Sequence, residues 1–167
     1  MTRSSSLEKK FPFPNHEGRE RRDRPAYYYQ QSSVIPYRVK GGKTEILVIK
    51  SSKQKHWVVP KGISEPRLTL QASAAKEALE EAGIEGEVSK KALGSYRYLK
   101  WGAECTVEVF AMRVSRMLAE DEWAEHHRGR EWVTPENAIQ CLKQSALKPM
   151  IKQLLKWLEK KPTKLKR

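Results

Sequence analysis

The sequence predicts an α/β protein with a central mixed β-sheet, on three observations. A passage of strand, glycine, helix and glycine runs from Trp57 to Ile84. Two β-rich runs flank Lys40-Gly41-Gly42-Lys43, and apolar residues recur at helical spacing between Lys148 and Glu159. Strand periodicity on both sides of a helix within one short chain favours a sheet with helices laid on it over a bundle or an all-β barrel.

Taken in order, residues 1–30 mix Ser, Pro, Arg, Lys and Glu with little apolar periodicity, which predicts a disordered basic N-terminal tail. Within it, Tyr27-Tyr28-Tyr29 offers stacking surface for bases, although packing on a domain edge is the commoner role of such a run. The folded domain is expected over 31–160, with a basic tail at 161–167. Strands are expected over 32–39 and 44–51, joined by the glycine turn as a hairpin. The segment Ser51-Ser52-Lys53-Gln54-Lys55-His56 then supplies two hydroxyls and two lysines, a composition that suits phosphate as well as an ordinary solvated turn.

The apolar run Trp57-Val58-Val59-Pro60 leads to Gly62, and the helix that follows is stopped by Gly83. Glu77, Glu80 and Glu81 lie three and four residues apart, so they share an arc of roughly 100° on one helix face. An apolar stripe of Ala72, Ala75, Ala78, Leu79 and Ala82 is expected opposite, burying one side and holding the glutamates out. Like charges at these spacings weaken a helix by a few tenths of a kcal/mol per pair, a penalty that a hard cation held by oxygen ligands reverses. Mg²⁺ or Mn²⁺ is the cofactor such a face suits, while a solvated acidic face is the ordinary alternative.

Beyond the helix, strands are expected over 86–91, 94–101 and 106–114, with a turn at Trp101-Gly102. Acidic and basic residues cluster in Glu120–Trp132 before a short strand over 131–133. Thr134 and Pro135 then read as N-cap and first residue of a helix reaching Leu142. The last helix puts Met150, Ile151, Leu154, Leu155 and Leu158 on its apolar side.

The 167 residues suffice for one core-bearing domain, and the net charge of +13 favours a polyanionic partner, with phosphate the natural group. Cys105 and Cys141 are too few and too far apart for a disulfide framework or a zinc site. No apolar stretch approaches the roughly 20 residues of a membrane span, and the acidic residues Glu8, Glu17, Glu20 and Asp23 argue against a transit peptide. A soluble cytoplasmic protein is the expectation.

The run from Gly62 to Ile84 resembles the Nudix hydrolase signature, G-x5-E-x7-R-E-U-x-E-E-x-G-U with U apolar. Gly62, Glu77, Ala78, Glu80, Glu81, Gly83 and Ile84 fall on its defined positions, and Leu68 and Lys76 depart from it. In the family, the first glutamate and the arginine support the loop and helix through an ion pair. Here apolar burial of Leu68 and a Lys76–Glu80 pair are the expected substitutes. The stretches ILVIKSS, WVVPKG, DEW and GREWVTPENAIQCLK further resemble the diphosphoinositol polyphosphate phosphohydrolase branch and its bacterial relatives, over residues 33–158.

This resemblance implies an α/β/α sandwich with the catalytic helix packed on one face, and metal-dependent cleavage of a diphosphate. It implies metal ligation by Glu77, Glu80, Glu81 and the Lys61 backbone carbonyl, completed by Glu122 or Glu125. Glu77 is the expected proton acceptor. Substrate phosphates are expected on Ser51, Ser52, Lys53, Lys55 and the Lys61 side chain, with Arg128 and Arg130 across from them. The expected substrate is a diphosphoinositol polyphosphate or a dinucleoside polyphosphate. The basic tails make the 5′ end of RNA an alternative, and a non-catalytic binding module is a third reading.

Overall fold

The structure, a computed structural model, describes residues 23–160. Its mixed sheet runs in the order β3-β2-β1-β7-β5, with β4 on β1, β6 on β7 and β8 on β2. The strands are β1 (Gln30–Lys40), β2 (Lys43–Lys50), β3 (Trp57–Val58), β4 (Lys61–Ile63), β5 (Ile84–Val88), β6 (Gly94–Lys100), β7 (Ala103–Met117) and β8 (Arg130–Val133). Helices are α1 (Leu70–Ala82), α2 (Pro135–Cys141) and α3 (Leu147–Glu159). β1 and β7 run parallel from Gln30↔Thr106 to Tyr37↔Arg113, and every other pairing between two of these strands is antiparallel.

Side chains alternate across the pleat, so adjacent residues of one strand feed two cores. Val34, Leu47, Ile49, Phe110 and Met112 meet Ala74, Ala78 and Ala82 of α1. On the other face Ile35, Val48, Val109 and Ala111 meet Ala138 of α2 and Leu147, Ile151 and Leu154 of α3. Two helical layers thus enclose the sheet, which is the α/β/α sandwich.

β1 divides its edge between two partners, and this division positions the site. Its second half pairs with β2, from Tyr37↔Ile46 to Lys40↔Lys43. Its first half pairs with β4 through Gln31↔Ile63, Ser32↔Gly62 and Ser33↔Lys61. Buried Ser32 and Ser33 are satisfied there: the Ser32 and Ser64 hydroxyls lie 2.9 Å apart, and Ser33 donates to the Pro60 carbonyl at 2.7 Å. Lys61 and Gly62 are therefore fixed against α1.

Helix α1 is bounded as its sequence predicts. The Thr69 hydroxyl accepts from Ala72 N at 3.0 Å, and Gly83 takes the left-handed conformation (φ 64°) with its N–H on Leu79 O at 3.0 Å. Its buried stripe differs from expectation. Ala72 is exposed, and Ser73, Ala74, Ala78 and Ala82 face inward. The glutamates consequently border the buried face instead of standing opposite it.

Three further expectations shift. Of the stretch 1–30 expected as a tail, residues 1–22 lie outside the described residues, and Ala26–Tyr29 form a 3-10 turn whose Tyr29 is buried against Ala103, Cys105 and Trp101. β5 starts at Ile84, straight after the helix stop, and ends at Val88. β7 is longer than 106–114, since along its length it pairs with β1, β5 and β6. The tail expected at 161–167 lies outside the described residues.

Candidate active site

Gly62 and Glu77 define the centre. A Cβ built on Gly62 would lie 2.2 Å from Glu77 Cδ, so β4 approaches the helix as closely as it does only because this residue has no side chain. One residue earlier, Lys61 N–H donates to Glu81 Oε1 at 3.2 Å. Glu77 and Glu81 lie one helical turn apart, line the same cavity and act on each other's protonation. Burial pushes the Glu81 carboxyl up to about 8, against the pull of the Arg128 guanidinium. Burial also raises Glu77. The fold has concentrated two carboxylates where water solvates them poorly.

Glu80 is placed differently. Its carboxylate lies 2.7 Å from Lys76 Nζ, and that ammonium also meets Glu65 at 3.1 Å. The Lys76–Glu80 pair was expected; the Glu65 contact was not. Leu68 does not dock the loop by apolar burial, because it is 38% exposed. The loop is tied to α1 by the Glu65–Lys76 pair and by Glu65 N–H donating to the buried Ser73 hydroxyl at 2.9 Å. These partners raise the Lys76 pKa, Glu80 more than Glu65.

Arg128 is the buried cation of the site, at 8% side-chain exposure. It sits 2.9 Å from Glu125 and 3.7 Å from Glu81, and its Nε donates to the Lys50 carbonyl at 2.8 Å. Of the two candidates for a downstream carboxylate, Glu125 faces this cluster and its charge acts on Glu77. Glu122 does not face it: its carboxylate accepts from Ala119 N at 3.2 Å and caps its own 3-10 turn. Arg130 is also elsewhere. Its guanidinium donates to the Ala82, Gly83 and Leu118 carbonyls and lies 4.4 Å from the Trp123 ring centre. There it closes the C-terminal end of α1, where orphan carbonyls attract a cation, and it does not line the carboxylate cavity.

The 51–56 turn lies beside Arg128. The Gln54 side chain donates to the His127 carbonyl, and the Ser51 hydroxyl accepts from Lys55 N and His56 N, each at 3.2 Å. Ser51 therefore shapes the turn, while Ser52, Lys53 and Lys55 are exposed on it. The Lys61 ammonium donates to Tyr98 OH at 3.0 Å, and Tyr98 OH donates to Gln31 Oε1 at 2.9 Å. Burial lowers the Lys61 pKa, and Glu81 opposes that shift.

A cavity of about 500 Å³ opens at the Glu77–Glu81 pair, and Arg128, Glu125 and the 51–56 turn lie outside its lining. Lys61, Gly62, Glu77 and Glu81 line one side, and Tyr27, Tyr28, Lys100 and Trp101 line the other. Sequence reading missed Gln31, Glu65 and Tyr98. Glu65 carried a faint signal, as a carboxylate three residues after the motif glycine. Tyr98 carried none, because its position depends on the β6–β7 register.

A profile of the NUDIX domain matches residues 30–158. The chain belongs to the Nudix family. "Nudix hydrolase 16, mitochondrial" of Arabidopsis thaliana is 31% identical over 134 residues, covering 74% of this chain and 73% of that protein. "Diphosphoinositol polyphosphate phosphohydrolase 3-alpha" of Mus musculus is 32% identical over 102 residues, 59% of this chain and 60% of that protein. The fold is that of a C. elegans Ap4A hydrolase, with a TM-score of 0.67 at 20% identity over 78% of this chain and 98% of that one. This Nudix chain is a hydrolase acting on pyrophosphate bonds of a phosphorylated small molecule.

Nudix enzymes generally use divalent metal ions, and the donor set here fits one. Among the described residues no three Asp, Glu, His or Cys side chains converge on one point. Two carboxylates, Glu77 and Glu81, line the same cavity, and carboxylate oxygens are the donors a hard cation takes. Glu77 and Glu81 would hold it, and Glu80 joins them only by leaving Lys76.

Proposed function

We propose that this Nudix hydrolase cleaves a diphosphate linkage in a dinucleoside polyphosphate, using Mg²⁺ or Mn²⁺. The observation that carries this reading is the single cavity that joins the Glu77–Glu81 pair to Tyr27, Tyr28 and Trp101. Nucleobases have π-faces that aromatic side chains stack on, and an inositol ring has none.

A bound divalent cation supplies charge neutralisation on the phosphates and a more acidic water. The chain's own groups do the rest. Glu77, raised by burial, is suited to take the proton of the attacking water. Water adds across the P–O–P bridge: one oxygen bond to phosphorus forms, the bridging bond breaks, and the leaving phosphate keeps the bridge oxygen. Lys61 lines the cavity beside the carboxylates, and Lys100 lies near its aromatic end, so both put positive charge beside a polyphosphate chain. Exposed Lys53 and Lys55, with Ser52, would meet phosphates that extend toward Arg128.

The diphosphoinositol reading is the alternative that the mouse relative supports. Phosphate release with Mg²⁺ or Mn²⁺ from a panel of dinucleoside penta- and hexaphosphates, diphosphoinositol polyphosphates, nucleoside diphosphate sugars and 5′-triphosphate RNA separates them. Dinucleoside polyphosphates are expected to turn over fastest, with Tyr28→Ala raising their KM. Faster turnover of the inositol compounds, indifferent to Tyr28→Ala, would overturn the nucleoside assignment. Loss of all turnover in Glu81→Ala checks the hydrolase itself.

A further inference from the structure

A second cavity, of about 490 Å³, opens on the face of the sheet that α3 covers, and it shares no lining residue with the carboxylate cavity. Tyr37, Ala111, Leu154, Trp157 and Leu158 form its apolar part, all belonging to the core between the sheet and α3. Around the mouth stand Lys90, Lys91, Arg113 and Lys160, against one carboxylate, Glu87. Glu87 is the cross-strand neighbour of Arg113, so a single carboxylate stands among four cations in the cavity wall. None of the four cations has an ion-pair partner among the described residues.

The two central lysines are held in place by their backbone. Ser89 OH donates to the Lys91 carbonyl at 2.8 Å and accepts from Ala111 N at 3.1 Å, so the connection between β5 and β6 is stitched to the cavity floor. From the other side, Gln71 donates to the Lys90 carbonyl at 2.9 Å. An apolar pocket of this volume is in the range that encloses a small ligand, and its rim selects the sign of that ligand's charge.

We propose that this cavity binds a small amphiphilic anion, an acyl or aryl body carrying a carboxylate or phosphate head. The body lies against Trp157, Tyr37 and Leu158, and the head meets Lys90, Lys91 and Lys160. The complementarity is specific: an apolar body alone would leave the lysines unmatched, and an anion without such a body would leave the floor uncovered.

Titrating the full chain with decanoate, decyl phosphate and decanol tests this, with the indole N–H resonance of Trp157 as reporter, assigned by Trp157→Phe, and calorimetry for Kd. Both anions are expected to shift the Trp157 resonance and to bind tighter than decanol. The double variant Lys90→Glu, Lys91→Glu should weaken the anions by about tenfold, equivalent to about 1.4 kcal/mol. It should leave decanol binding and diphosphate hydrolysis unchanged, since neither lysine touches the carboxylate cavity. No shift at Trp157, shifts confined to other tryptophans, equal binding of decanol, or an unchanged anion Kd in the double variant would each overturn the proposal. The two anionic probes separate carboxylate from phosphate head groups.

Discussion

Single residues decide how close the catalytic groups come. Gly62→Ala places a Cβ 2.2 Å from Glu77 Cδ, and the carboxylate has to give way because the strand backbone is pinned by β1. The expected result is a large loss of kcat with nearly wild-type Tm, since the displaced group is the end of a flexible side chain. A variant that keeps its kcat would mean the close approach has no role. Glu81 carries a pH signature with a definite sign. Its folded pKa, about 8, lies above that of an unfolded glutamate, so the folded state binds the extra proton. Stability from this group is present at low pH and lost as pH rises through the folded value. Metal-free Glu81→Gln should therefore gain Tm relative to the parent between about pH 5 and 8, and Mn²⁺ should raise the parent's Tm more at the upper end of that window. A difference between parent and variant that does not change with pH would show Glu81 ionised throughout.

At the scale of elements, the loop before α1 and the helix itself are joined by Lys76. Its contacts to Glu65 and Glu80 are solvent-exposed, and such pairs are worth roughly 0–1 kcal/mol. Lys76→Met should therefore change stability by no more than that amount. It should nonetheless lower kcat, because the loop leading from Gly62 and the Glu80 carboxylate both lose their tether, while Lys76→Arg should keep both. Equal Tm and equal kcat in Lys76→Met would remove the tether from the site's design. The cap at Thr69 offers a contrast: Thr69→Ala should cost about 0.5–2 kcal/mol in chemical denaturation, through the lost bond to Ala72 N.

For the whole molecule, the two cores respond to different helices. Ile151 is fully buried between α3 and the sheet, so Ile151→Ala should cost about 2–5 kcal/mol while the folded fraction keeps its KM for the diphosphate substrate. Denaturant titration beside kinetics checks this, and a changed KM would show that the α3 face communicates with the carboxylate cavity.

Much of this was legible in the chain itself. The hairpin at Gly41-Gly42, the strand before Gly62, the caps Thr69 and Thr134, the stop at Gly83 and the turn at Trp101-Gly102 are local rules. Each acts within a few residues, and the structure bears them out. The spacing of Glu77, Glu80 and Glu81 placed them on one side of one helix for the same reason. Local spacing did not say what each would face. It read Arg130 as a phosphate contact and Glu122 as a possible ligand, where packing sends one to the end of α1 and the other to its own turn. It also read Leu68 as the loop's anchor, a role that falls to Glu65.

The sequence by itself determined the elements, the motif and the chemistry of an oxygen-rich, phosphate-directed site, because helical and strand periodicity and short-range capping are encoded in neighbouring residues. Only the tertiary structure decided which carboxylates meet. Glu77 and Glu81 share one gap because β1 gives half its edge to β4 and because Gly62 leaves room there. The first joins Ser32 to Gly62 across the sheet and the second joins Gly62 to Glu77 between strand and helix, through hydrogen-bond register and close packing that no local pattern specifies.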